Sequence, residues 1–157
     1  MIKIKGGELM EIKCSKEKLN SVLVELFNDI LKIEEKALKC GPIDNLSMTE
    51  IHTIEAIGMY HKKKMSEVAK SLKITVGTLT TAINKLVKKE YVERHRCDED
   101  RRTVKICLTK KGKVVYRIHQ KFHDDLIKDI ISELTYDEEV VLIKTLEKIE
   151  KFFIEKY

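Results

Sequence analysis

A chain of 157 residues is one domain's worth of sequence, with 36% charged residues, 6% aromatics and no Trp. No run approaches the roughly 18 consecutive apolar residues of a membrane span, and the start, MIKIKGGELMEIK, lacks the apolar core of a secretory signal. A cytoplasmic location with no membrane partner is expected, and with it thiols rather than a disulfide framework, since Cys14, Cys40, Cys97 and Cys107 form no C-x-x-C pair.

Residues 1 to about 14 read as an extended tail, in which Met10 is a second candidate start. From about Ser15 to Lys39 the pattern predicts one long helix with a broad apolar face of Leu19, Val22, Leu23, Leu26, Phe27, Ile30, Ile33 and Leu38. The run GPIDNL breaks it and holds the single proline, Pro42. Ser47-Met48-Thr49-Glu50 is a capping box that opens a helix through about Met59. His61 to Lys64 then predicts a basic turn, with Lys62, Lys63 and Lys64 suited to phosphates.

MSEVAKSL, from Met65, predicts a short helix with Val68, Ala69 and Leu72 on one face. KIT is a tight connection, and VGTLTTAINKLVKK is a second helix with Leu79, Ile83, Leu86 and Val87 at helical spacing. Thr75 is its expected N-cap. Two helices joined by three or four residues are a helix-turn-helix. The face opposite the apolar stripe carries Thr75, Thr78, Thr81, Asn84 and Lys85. An asparagine there can pair with adenine through two hydrogen bonds, a threonine methyl can contact thymine, and lysine suits phosphate.

Two β-prone runs follow, YVERHRC and TVKICLT, joined by the polar tip DEDRR. A helix-turn-helix followed by a basic hairpin is a winged helix, so the fold class expected is mainly α, an α+β winged helix. Arg101 and Arg102 at the tip suit the negative minor groove, and Asp100 is expected to orient Arg94 or Arg102. Cys97 and Cys107 are expected to face each other across the hairpin as small wing residues. Thr109 caps a helix to about Ser132, and Thr135-Tyr136-Asp137-Glu138 is a second capping box opening the last helix.

Charge is unevenly placed. Lys62 to Lys113 holds sixteen Lys or Arg against six Asp or Glu, a net of +10, which leaves −5 elsewhere in a chain of +5. A basic centre between acidic flanks is the footprint of a nucleic-acid binder. The first and last two helices are more apolar than a lone winged helix needs, and a subunit interface is their simplest use. Two modules about one helical turn of DNA apart would then read a palindromic operator.

The wing run YVERHRCDEDRRTVKICLTKKG resembles the wing signature of the MarR family of bacterial regulators: Val92-Glu93-Arg94, Asp100-Arg101-Arg102 and Leu108-Thr109-x-x-Gly112. The resemblance extends over about Leu19 to Phe153. It implies a homodimeric DNA-binding regulator, usually a repressor, with a lobe at about 47–109 and dimerisation helices at about 1–46 and 110–157. Many members have Gly where this chain has Glu90, so a glycine left-handed cap is not expected there. The strings EIHTIEAIG, VGTLTTAINKL and RIHQKFH are similar to those of the FabT-type repressors of fatty-acid synthesis. That similarity implies an acyl chain on acyl carrier protein as co-repressor, in a cavity lined by Ile54, Ile57, Phe122 and Leu126 with His52 and His119 at its polar end.

No Gly-rich phosphate loop, G-x-S-x-G or carboxylate pair in a cleft is evident, so neither catalysis nor a cofactor is expected. Alternatives stay open on the same fold. His119 and His123, one turn apart, are spaced to bind zinc, with His52 and Glu34 as further donors. Cys14 beside Lys16 and Lys18 is placed for thiol sensing. A helical interaction protein without DNA binding is the third reading.

Overall fold

The structure, a computed structural model, describes residues 16–39, 43, 45–96 and 103–156. The described residues fall into two compact units, divided between Ala37 and Leu38. The last two helices share the second unit with the helix-turn-helix and wing. The first unit contributes most of helix α1, Lys16–Lys39. Its apolar stripe is as the spacing predicts, yet Leu19, Leu26 and Phe27 are at least half exposed.

The second unit is built on α2 (Met48–Ile57), α3 (Met65–Ser71) and α4 (Val76–Lys88), with a sheet of β1 (Lys63–Lys64), β2 (Val92–Arg96) and β3 (Val104–Leu108). The strands are antiparallel in the order β1-β3-β2. The expected basic turn at His61 to Lys64 is thus corrected in part. Lys63 and Lys64 pair with Ile106 and Lys105 as a third strand, a non-local pairing that no local pattern announces.

Alternation divides the sheet. Val92, Ile106 and Leu108 are buried on one face, while Glu93, His95, Lys105 and Cys107 occupy the other. The buried face packs into one core with Ile51, Ile54 and Ile57 of α2, Val68 and Ala69 of α3, Leu79, Ile83 and Leu86 of α4, and Tyr91. Each fully buried aliphatic side chain contributes about 1.5–3 kcal/mol.

Hydrogen bonds close the helix ends where the sequence placed the caps. Ser47 and Glu50 form the complete capping box on α2, and the Thr75 hydroxyl accepts from the Thr78 N–H on α4. Helix α5 (Lys110–Ser132) begins at Thr109, whose hydroxyl accepts from the Gly112 N–H. Helix α6 (Tyr136–Lys156) begins with the reciprocal Thr135–Glu138 bonds. Along α5 burial fades: Val115 and His119 are in the interior, whereas Ile127 and Ile131 are exposed. Helix α6 buries no residue. Among the described residues no helix is long and apolar enough to cross a membrane.

Candidate nucleic-acid interface

Helix α4 carries the site, and its orientation is fixed from three sides. Leu79, Ile83 and Leu86 are fully buried, which turns Thr75, Thr78, Thr81, Asn84 and Lys85 to solvent. At its N-terminus the Thr75 and Thr78 hydroxyls pair with each other at 2.9 Å, so Thr75 serves the cap. Thr81 leans back on the Gly77 carbonyl. At its C-terminus the Lys89 ammonium reaches both Glu50 oxygens, at 2.9 and 2.8 Å, and the Asn45 carbonyl at 2.7 Å. Tyr91 donates its hydroxyl to the Asn45 side chain. Burial pushes the Glu50 carboxyl up, but bonds from Lys89 and the Ser47 N–H outweigh it and hold the group below its ordinary 4.5. The carboxylate that caps α2 thereby also anchors the far end of α4.

The turns on either side of α4 have one form. The Lys73 N–H reaches the Lys70 carbonyl and the Ile74 N–H the Ala69 carbonyl; Glu90 and Tyr91 reach Val87 and Leu86 in the same way. This is the Schellman pattern, which needs a left-handed residue after the helix. Lys73 at φ 54° and Glu90 at φ 64° supply it. The cap geometry that the missing glycine at Glu90 left open is thus a left-handed one: only the glycine is absent, and the conformation is kept.

The wing joins the site through Arg94. Its guanidinium donates to the Asn84 Oδ1 at 2.6 Å. The link between β2 and the exposed face of α4 went unread in the sequence, because ten residues separate the partners and neither pattern points at the other. The tip, Cys97, Asp98, Glu99, Asp100, Arg101 and Arg102, lies outside the described residues, and with it the expected role of Asp100. The strand register sets Glu93, not Cys97, opposite Cys107. The two cysteines therefore do not face each other across the hairpin.

The lysines differ in placement. Lys62, Lys64 and Lys85 are exposed, whereas Lys63 is half-buried and its ammonium donates to the Ala56 carbonyl in the last turn of α2 at 2.8 Å. The Lys64 N–H donates to Glu67 at the start of α3.

Residues 46–104 match the model of the MarR family. Over 105 residues the chain is 30% identical to the transcriptional regulator SarZ of Staphylococcus haemolyticus, covering 67% of this chain and 70% of that one. The chain belongs to the MarR family. It is 24% identical to the Bacillus subtilis regulator PchR over 106 residues, a match that spans 63% of PchR's length. Among solved structures it is similar to Streptococcus pneumoniae FabT, crystallised in complex with DNA, with 37% identity, a TM-score of 0.85, and 90% of this chain and 99% of that one covered.

The described part of the MarR wing signature has a physical account in this chain. Val92 is core, Arg94 reaches α4, and Leu108 is core. The Thr109 hydroxyl caps α5 and also donates to the Glu90 carbonyl at 2.7 Å. A Cβ on Gly112 would stand 2.1 Å from the Tyr91 carbonyl oxygen, so only glycine lets α5 approach the end of the helix-turn-helix this closely.

Of the residues expected around an effector cavity, Ile54 and Ile57 are fully buried in the lobe's core, and Phe122 packs on that core. Leu126 is half-buried. His52, His119 and His123 do come together, with ring centroids 5.5 Å apart for the first two and 4.5 Å for the last two. The His119 and His123 Nε2 atoms are 3.1 Å apart, and the His119 Nδ1 is 3.6 Å from a Glu55 oxygen.

Proposed function

We propose that this MarR-family chain binds a palindromic site on double-stranded DNA as a homodimer and represses transcription there. The observation that carries it is the exposed polar face of α4, whose opposite face is sealed in the core. Thr78, Thr81 and Asn84 read the major groove, while Lys85, Lys62 and Lys64 hold phosphates. Arg101 and Arg102 supply the minor-groove contact. The bond from Arg94 takes one lone pair of the Asn84 carbonyl oxygen and holds the side chain, leaving its NH2 group and the second lone pair to face a purine edge.

The test separates reading from holding. Asn84→Ala is expected to lower the ratio of operator to random-sequence affinity with the salt slope nearly unchanged. Lys85→Ala is expected to weaken binding to all sequences and to reduce the salt slope by about one. Gel-shift titrations across salt, on folded variants, decide it. Equal loss on both DNAs for Asn84→Ala rejects the recognition face.

Identity of 37% to Streptococcus pneumoniae FabT supports a role in repressing fatty-acid synthesis. The FabT-type strings imply a long-chain acyl group on acyl carrier protein as co-repressor. Operator affinity unchanged by saturating acyl-acyl carrier protein would reject that role.

A further inference from the structure

The outer face of the wing, turned away from the core, gathers three side chains that DNA reading does not use. Glu93 and His95 stand two residues apart on β2, and Cys107 lies opposite Glu93 on β3. The Cys107 Sγ is 3.2 Å from the Glu93 Oε1, and the His95 Nε2 is 3.2 Å from that same oxygen. All three donor atoms lie within 4.8 Å of one another. We propose that Glu93, His95 and Cys107 form a binding site for a borderline, thiol-preferring divalent cation of the zinc class, clamping β2 to β3.

Geometry and charge both fit. Around a tetrahedral zinc, with bonds of about 2.0–2.3 Å, donor atoms stand roughly 3.4–3.6 Å apart. Two edges of the trio, at 3.2 Å each, are already near that spacing, and the third is no longer than 4.8 Å. The His95 Nε2 is shielded from solvent and, despite its nearness to Glu93, lacks the geometry of a hydrogen bond; a cation between the two gives it a directional partner. The bound ion replaces the thiol proton, which passes to solvent, so one thiolate and one carboxylate balance the double positive charge. Mixed sulfur, nitrogen and oxygen donors select zinc-class ions over magnesium and calcium, which take oxygen. Water takes the fourth position. Antiparallel pairing holds the donors before any ion arrives.

Cobalt(II) is the probe, because a sulfur-to-cobalt charge-transfer band reports thiolate ligation and ignores imidazole-only sites such as His119 and His123. Titration of the reduced full-length chain should give that band at one equivalent per chain, abolished by stoichiometric zinc. The band should vanish in Cys107→Ser and persist when Cys14, Cys40 and Cys97 are all replaced by Ser. His95→Gln should lower affinity at least tenfold, a ligand being worth no less than an outer-shell partner. Circular dichroism checks that each variant is folded. No band in the parent chain, or an undiminished band in folded Cys107→Ser, overturns the site.

Discussion

Lys73 and Glu90 sit at positive φ, where a side chain's Cβ crowds the following carbonyl and costs about 1–2 kcal/mol. Neither can leave that conformation without opening the turn that ends α3 or α4. Glu90→Gly should therefore raise stability by about 0.5–1 kcal/mol, the relief of strain less the greater freedom of glycine in the unfolded chain. Urea melts check the sign, and a variant no more stable than the parent chain would show that Glu90 draws compensation from elsewhere. Gly112 is the opposite case. Gly112→Ala drives a Cβ into the Tyr91 carbonyl and should cost at least about 1–3 kcal/mol by overpacking, with the backbone itself forced to move.

At the scale of elements, the caps, helix spans and wing strands were legible because each is written in adjacent residues. Thr75, Thr109, Ser47 with Glu50, and Thr135 with Glu138 all act where the sequence put them. What escaped was the pairing of distant segments: β1 on β3, Arg94 on Asn84, and Lys89 on Glu50 across 39 residues. Lysine patterns were the poorest guide, since Lys63 and Lys89 look like any solvated cation yet each closes a helix end. The Glu50–Lys89 pair makes this testable. Lys89→Met leaves a largely buried carboxylate without its cation, and should cost about 1–3 kcal/mol at neutral pH. The Glu50 carboxyl lies below 4.5 in the folded chain, so the pair's contribution is present above that pH and is lost as pH falls through the folded value. The gap between parent chain and variant should accordingly close in acid. A gap independent of pH would mean that Lys89 acts through packing alone.

Across the whole molecule, the apolar surface left open bears on the proposed assembly. Helix α6 is 21 residues long and buries none of them, although Leu142, Leu146, Ile149, Phe152 and Phe153 recur on it. The second half of α5 exposes Ile127, Ile130 and Ile131, and α1 exposes its own stripe. Most helical stability in proteins comes from packing an amphipathic face rather than from propensity, and monomers rarely leave apolar patches of this kind open. A second copy of the chain is the partner that the proposed two-fold operator requires. Replacing Leu146 and Phe153 together by Asp should turn a dimer into a monomer by light scattering at micromolar concentration. It should spare the lobe, because the core around Leu79, Ile83 and Leu86 includes no residue of α6. Operator affinity should fall to that of a half-site while non-specific binding to random DNA falls far less, since each lobe keeps its phosphate contacts but no longer gains from a tethered twin. A parent chain that is monomeric at that concentration would reject both the assembly and the two-fold reading of the operator.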